Sequence, residues 1–437
     1  MQSTSLQIIE ILKKASHQAF WAGGCVRDML LGIKPKDFDI VTSATPDQIE
    51  QLLEKTIPIG KQYGVILAIQ NGHSFEIATF RSDSDSSDGR RPDAVTFTNP
   101  EQDAKRRDFT INALFYDPTT EEVLDFIDGQ KDLRDKLVRF IGDPTTRIHE
   151  DHLRILRAVR FKNLYDFQYH PETYQAIKAH ADLVTNISPE RLREELTKMI
   201  LDHTNPGQAF EELFEIGVLQ HIIPELAQLK GLAQPLQYHQ EGDVWDHSLR
   251  ALNALTAEAS LALKWATLLH DIGKFATFSQ DAERIRYDHH AQIGADIAKQ
   301  ILTRLRFPRK IIKEVHFLIE HHMMTVPLLE MSDSARRRWF LKPEFEDLLE
   351  LFRADAAGTI PGTLDQYEQI KKLYRHEIAT LKLLPKTLLT GEEIMKTLNL
   401  KPGKQVGDIL DQIREKQLAG EIKTVEEARE FLASLPS

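Results

Sequence analysis

Hydrophobic and polar positions divide the chain into two regimes. Up to about residue 142, short segments alternate between helix-like and strand-like spacing. Leu6 to Lys14 has helical spacing, and Phe20-Trp21-Ala22 is an apolar run that stops at Gly23-Gly24. Phe38 to Val41 predicts a strand, and Thr45 to Thr56 a helix with its cap region at Ser43 and Thr45. Gly64–Ile69 and Ser74–Phe80 alternate as paired strands, and Asn71-Gly72 between them is a strong hairpin signal. Arg81 to Asp93 is polar and rich in Ser, Asp and Gly, which predicts a mobile loop. Phe109–Tyr116 and Val123–Ile127 add sheet or flanking structure. From Ile148 onward helical periodicity dominates, with breaks near Asp143-Pro144, Gly231 to Pro235, Gly358 to Gly362 and Pro385, and without an internal repeat. The pattern predicts a multidomain chain: an α/β head over 1–142, a helical neck over 143–230, a third domain over 231–360 and a helical tail over 361–437.

Composition narrows this picture. The chain has 437 residues, 41% hydrophobic and 28% charged, enough to build several cores. Its one cysteine, Cys25, excludes an internal disulfide and a multi-cysteine zinc site, and fits a reducing compartment. The net charge of −11 places any nucleic-acid contact on local patches rather than on a uniformly basic surface. No run of 18 uncharged apolar residues spans a membrane, and Met1 to Lys14 lacks the basic start and long apolar core of a signal peptide. The expected location is the cytoplasm.

The first chemistry-bearing constellation follows Gly23-Gly24. Lys36-Asp37-Phe38-Asp39-Ile40 places two carboxylates two residues apart, on one side of a strand. Close carboxylates repel unless a cation sits between them, so Asp37 and Asp39 suggest Mg²⁺, with Glu76 of Phe75-Glu76-Ile77 as a weaker third ligand. Glycines at 23 and 24 let backbone N–H groups approach phosphates closely. A metal beside a phosphate cradle suits phosphoryl or nucleotidyl transfer.

Four motifs in order carry a resemblance: Gly23-Gly24-Cys25-Val26-Arg27-Asp28; Asp37-Phe38-Asp39; Lys105-Arg106-Arg107-Asp108-Phe109-Thr110-Ile111-Asn112-Ala113-Leu114; and Glu150-Asp151-His152-Leu153-Arg154-Ile155-Leu156-Arg157. Over roughly residues 20–230 the chain resembles the class II tRNA nucleotidyltransferases, the CCA-adding enzymes and bacterial poly(A) polymerases of the polymerase-β-like superfamily. The resemblance implies catalytic metals on Asp37 and Asp39, and a nucleotide site that includes Gly23, Gly24, Arg27 and Asn112. It also implies a phosphate contact for Arg107, a ribose contact for Asp108, and an amino-acid template for CTP or ATP in Asp151 and Arg154. Residues three apart share a helix face, so Asp151 and Arg154 are expected to meet one base edge together. Arg157, Arg160 and Lys162 continue a basic helix that reads either as a triphosphate or tRNA contact or as a solvated face. Ser188-Pro189 starts the next helix, and Arg191 there is expected to be structural. The polar segment 81–93 has the length the resemblance associates with addition of the terminal A.

A second constellation lies downstream: Trp245-Asp246-His247, His270-Asp271-Ile272-Gly273-Lys274, His289-His290, His321-His322 and Arg353-Ala354-Asp355. Histidines and aspartates in this order resemble the HD phosphohydrolase superfamily. The resemblance implies a divalent transition metal on His247, His270, Asp271 and Asp355, with His290 and one of His321 and His322 completing a two-metal site. Arg304, Arg306, Arg309, Lys310 and Lys313, and the run Arg336-Arg337-Arg338, read equally as phosphate grips or solvated faces.

The expected function is template-independent addition of C and A to the tRNA 3′ end. The partners are tRNA, CTP and ATP, with no membrane. The alternatives are an A-only enzyme, which needs a CC-adding partner enzyme, a poly(A) polymerase, and an HD metal phosphohydrolase acting on RNA ends or nucleotides. Oligomeric state is not legible in the sequence.

Overall fold

The computed structural model describes every residue except 84–94, 236, 238, 281–284, 384–386 and 436–437. The chain forms two compact units, Met1–Pro224 and Glu225–Ser437.

The first unit is built on a seven-stranded mixed sheet. Its strands are β1 (Ala19–Ala22), β2 (Ile40–Thr42), β3 (Thr56–Gly60), β4 (Val65–Gln70), β5 (His73–Thr79), β8 (Phe115–Asp117) and β9 (Glu122–Leu124), in the order β3-β4-β5-β2-β1-β8-β9. β6 (Arg81–Asp83) and β7 (Val95–Phe97) form a separate antiparallel ribbon. Within the sheet, β2 and β5 are the parallel pair, registered Ile40 to Ile77, and the other neighbours run antiparallel. Phe20, Val41, Phe80, Ala104, Phe115 and Ile141 pack into the core on one face. Asn71 and Gly72 both adopt positive φ, +50° and +75°, as the predicted two-residue hairpin turn requires.

Local readings needed adjustment where a tertiary partner intervened. The helix expected from Thr45 to Thr56 is Pro46–Leu52; Thr45 closes a capping box with Gln48, and Thr56 already belongs to edge strand β3. The strand expected from Phe38 begins only at Ile40, because β1, its pairing partner, ends where Gly23 turns away at φ +72°. Asp37 and Asp39 therefore lie in the segment leading into β2. The expected loop 81–93 begins as a strand, since Arg81–Asp83 pairs with Val95–Phe97; the rest of it falls outside the described residues.

The neck is helical: Pro144–Glu150, Arg154–Tyr165, Pro171–Ala179, Pro189–Asp202 and Pro206–Glu215, four of them opened by proline at the first turn after Asp143, His170, Ser188 or Asn205. In the second unit, helices Val244–Asn253, Leu261–Leu269, His290–Arg304, Arg309–His321 and Phe345–Gly358 surround the histidine segments. A core of Phe340, Phe345, Tyr367, Ile370 and Leu418 leads into the tail, where Ile394, Ile409, Ile413 and Leu432 form a further cluster. Among the described residues, no helix is long and apolar enough to cross a membrane.

Candidate active site and metal cluster

β1 delivers the chain to Gly23, which caps the helix Gly24–Leu30 and donates its N–H to the Leu114 carbonyl at 3.0 Å. A Cβ at Gly23 would stand 3.0 Å from Arg107 Nη1, in a backbone conformation that L-residues rarely adopt. This turn opens one cleft of about 1290 Å³, which gathers the residues of all four motifs.

On one side of the cleft lie Asp37, Asp39 and Glu76. The parallel pairing of β2 with β5 places Asp39 and Glu76 each one residue ahead of the registered pair Ile40–Ile77. All three side chains keep solvent-exposed area within the concave cleft. The protein around Asp39, and then the like charges of Asp37 and Glu76, nevertheless push its carboxyl up to about 6, against the pull of Arg107. That is the electrostatic signature of a carboxylate group short of positive charge. Its oxygen-only donor set fits a hard divalent cation.

The other side is a chain of polar contacts. Arg27 is buried, stacks on Tyr165 with its guanidinium carbon 4.6 Å from the ring centre, and donates to Asn112 Oδ1 at 2.5 Å. Asn112 Nδ2 donates to Asp108 Oδ1 at 3.0 Å, and Arg157 reaches Asp108 Oδ2 through Nε at 2.8 Å and Nη2 at 2.6 Å. Burial alone would raise the Asp108 carboxyl; Arg157 and Asn112 hold it well below the usual range. Arg107 is gripped on one edge by Asp103 Oδ2 at 3.1–3.2 Å and donates Nη1 to the Asn112 carbonyl.

One expectation about the template helix fails, and one of two open readings of its continuation is set aside. Asp151 and Arg154 do not share a helix face. The first helix ends at Glu150, Asp151 is extended (φ −154°, ψ 104°), and its carboxylate accepts from the Leu153 N–H before the next helix starts at Arg154. An aspartate that can bond nearby backbone N–H groups favours such a break. Both side chains still line the cleft, with Asp151 paired to Arg191 at 2.7 Å and Arg154 to Glu150 at 2.6 Å. Nor is the face carrying Arg157 and Arg160 solvated. Arg160 is 7% exposed and donates to the buried Glu195 at 2.6 Å, and Lys162 pairs with Glu212 at 2.9 Å.

Sequence reasoning assigned no role to Asp103, Arg147 or Glu195. Asp103 is fully buried and takes Arg106, Arg107 and the Arg81 N–H together. Arg147 Nη2 donates to the carbonyls of Arg106 and Arg107. A signal existed for Asp103, which lies three residues before Arg106 on the helix Pro100–Arg106 and four before Arg107, the residue that ends it. Glu195 had none that a local reading could separate from Glu194. Cys25 is buried, donates to the Ala22 carbonyl, and burial pushes its thiol up to about 12.

In the second unit, His247, His270 and Asp355 converge as one group, and Asp271, His290 and His322 as another. His247 Nε2 stands 3.2 Å from His270 Nε2 and 3.0 Å from Asp355 Oδ1. His290 Nε2 stands 3.2 Å from His322 Nε2 and 3.4 Å from Asp271 Oδ1, while Asp271 Oδ2 is 3.3 Å from His270 Nε2. The Nδ1–H groups of His270, His290 and His322 donate to the carbonyls of Thr267, Tyr287 and Ile319, and His247 Nδ1 faces Glu241 at 3.1 Å. A carbonyl only accepts, so each of those three rings turns an Nε2 lone pair inward. Lone pairs facing each other at 3.2 Å beside two aspartates fit divalent cations held by mixed nitrogen and oxygen donors. His247 shows the same need for positive charge: burial disfavours its protonation, yet Asp355 and Glu241 push it up to about 9. His321, expected as an alternative ligand, is not brought to the cluster. It ends the helix Arg309–His321 and packs on Phe317 and Trp339, so that only the next residue, on the following 3₁₀ turn, turns inward. Glu241, which bridges His239 and His247, was not anticipated.

The run Arg336-Arg337-Arg338 is ion-paired, as is Arg304 in the other basic run. Arg304 meets Glu225 in a two-pronged pair at 2.8 Å, Arg336 and Arg337 share Glu377, and Arg338 meets Glu415.

Comparison with known proteins agrees with this geometry. The chain matches the Poly A polymerase head domain over residues 19–139, the family described as "Probable RNA and SrmB- binding site of polymerase A" over 166–230, and the HD domain over 244–355. It is 33% identical over 431 residues to the A-adding tRNA nucleotidyltransferase of Deinococcus radiodurans, covering 94% of each chain. It is 30% identical over 436 residues to the CCA-adding enzyme of Bacillus velezensis, covering 98% of this chain and 97% of that one. The crystal structure of the Bacillus stearothermophilus CCA-adding enzyme in complex with CTP superposes with a TM-score of 0.75 at 27% identity, covering 99% and 96% of the two chains. A polymerase-β-like head on a mixed sheet, a helical neck and an HD domain follow one another in this chain, and the chain belongs to the tRNA nucleotidyltransferase and poly(A) polymerase family.

Proposed function

We propose that this protein is a nucleotidyltransferase that adds C and A to the 3′ end of tRNA in the cytosol, taking CTP and ATP and releasing pyrophosphate without a nucleic-acid template. One observation carries the reading. A single cleft holds the carboxylates Asp37, Asp39 and Glu76 and, across from them, Arg107, Asp108, Arg157, Asp151 and Arg154. We assign 1–142 to catalysis, 143–230 to nucleotide selection and RNA contact, 231–360 to the HD domain and 361–437 to a helical tail.

The carboxylates would hold Mg²⁺, which when bound favours release of the primer 3′-hydroxyl proton to solvent and neutralises charge on the triphosphate. The primer 3′-oxygen attacks the α-phosphate, and pyrophosphate leaves. Gly23 and Gly24 leave room for phosphates against the backbone, and Arg107, fixed by Asp103, donates to them. Asp108, held by Arg157 and Asn112, accepts from a ribose hydroxyl of the nucleotide, a role its place in the cleft supports. Asp151 accepts from an exocyclic amine while Arg154 donates to ring acceptors, a pattern cytosine and adenine share and uracil and guanine do not.

The likeness to the A-adding enzyme of Deinococcus radiodurans favours a second reading, addition of A alone after a CC-adding partner enzyme. The test offers tRNA ending at the discriminator base, and tRNA ending in CC, with CTP, ATP and Mg²⁺. CCA on the bare end supports the first reading; one A on the CC end alone supports the second. Long A tails on either primer would support a poly(A) polymerase instead. Absence of incorporation, or full incorporation by Asp37→Asn, refutes the assignment.

The convergence of His247, His270, Asp271, His290, His322 and Asp355 supports a further metal-dependent phosphoester hydrolase activity on RNA ends or nucleotides. His270→Ala should remove that activity and leave nucleotide incorporation intact.

A further inference from the structure

Gly273 and Gly294 have no conformational need to be glycine. Gly273 sits at φ −68°, ψ −17°, and Gly294 lies inside the helix His290–Arg304. What they share is contact. A Cβ on Gly273 would stand 2.1 Å from the His290 carbonyl oxygen and 2.7 Å from the Gly294 nitrogen, and one on Gly294 would stand 3.0 Å from the Gly273 nitrogen. The turn that follows His270-Asp271 thus touches the first turn of the His290 helix backbone to backbone. That approach brings His290 Nε2 to 3.4 Å from Asp271 Oδ1. His247 and Asp355 stand on other helices, Val244–Asn253 and Phe345–Gly358.

We propose that the Gly273–Gly294 contact is what makes the histidine cluster dinuclear. It holds His290 against Asp271, whose two oxygens face His290 and His270, so that a first cation would be held by His247, His270 and Asp355 and a second by Asp271, His290 and His322. Gly273 and Gly294 are positioning residues for the second cation alone. The inference rests on the divalent-metal reading of this cluster.

The test is Mn²⁺ stoichiometry by elemental analysis, with electron paramagnetic resonance, on full-length metal-free protein reloaded with Mn²⁺, every sample (wild type at the cluster or variant there) also carrying Asp37→Asn and Asp39→Asn so that the head carboxylates add no Mn²⁺ to the count. The wild type should hold two Mn²⁺ at this cluster with an exchange-coupled spectrum. Gly273→Ala should hold one, with an uncoupled six-line spectrum, as should His290→Ala. A wild type that holds fewer than two overturns the two-cation reading itself. Two coupled Mn²⁺ in Gly273→Ala, or loss of both, overturns the role of the glycines while the cluster reading stands. Alanine suits a helix better than glycine, so Gly294→Ala, with its smaller clash, decides the matter by the same criteria if Gly273→Ala is insoluble.

Discussion

Glu195 should be among the most consequential non-catalytic residues of the first unit. It is 2% exposed, and its Oε2 accepts from Arg160 Nε at 2.6 Å, with Lys198 at 3.3 Å and Arg157 at 3.8 Å from Oε1. Arg160 is itself 7% exposed and lies over the Phe161 ring at 4.2 Å. Glu195→Ala removes the partner and strands a buried guanidinium, which costs about 3–5 kcal/mol. With an m-value of about 2 kcal/mol/M, the urea midpoint of this unit should fall by roughly 1.5–2.5 M. Glu195→Gln keeps an acceptor and loses only the charge, so it should cost about 1–3 kcal/mol. Replacing both partners, Glu195→Leu with Arg160→Met, should recover much of the loss, because no charge is then left buried. The pH dependence has a definite sign. Burial would raise the Glu195 carboxyl, but Arg160 and Arg157 hold it below the ordinary glutamate value. Its contribution is therefore complete above that value and disappears as pH falls through the lower folded value. The gap between wild type and Glu195→Gln should narrow in acid. The assay is urea unfolding followed by circular dichroism at pH 7 and pH 3.5. A cost below about 1 kcal/mol for Glu195→Ala, or a double variant as unstable as the sum of its parts, would refute the reasoning.

Three further outcomes follow from the same geometry. Asp103→Asn weakens the grip on Arg107 and should raise the nucleotide KM about 10- to 100-fold, from the 1.5–3 kcal/mol of a charged hydrogen bond, with kcat changed less; an unchanged KM in steady-state kinetics removes the positioning role. Cys25, with its thiol pushed up to about 12, has on the order of 10⁻⁴ thiolate at pH 8, so native protein should resist a thiol reagent and react only with denaturant; fast labelling of folded protein contradicts that packing. His322→Ala should lower metal content at the histidine cluster while His321→Ala leaves it at the wild-type value, which elemental analysis reads directly; equal losses would undo the ligand choice.

Some of this molecule follows from neighbouring residues alone. Asn71-Gly72 makes a hairpin because both residues tolerate positive φ, and Asp143-Pro144 starts a helix because a side-chain acceptor precedes a fixed φ. The Asp37/Asp39 pair and the ordered His and Asp segments are legible for a similar reason. Each is common alone, but in order with the neighbouring motifs its chemistry shows before any contact is known. Other features depend on partners far along the chain. Glu76 stands beside Asp39 only because β2 pairs with β5 in parallel, 37 positions apart in register (Ile40 with Ile77). Arg160 looks like a solvated basic residue until Glu195, 35 residues on, draws it into the interior. His321 and His322 are indistinguishable until the end of one helix decides which ring turns inward, and Glu241 gains its role only beside His247. Local propensity and the repertoire of chemical groups are written residue by residue. Burial, pairing and charge balance belong to groups that meet only when the chain has folded, and there the tertiary structure decides.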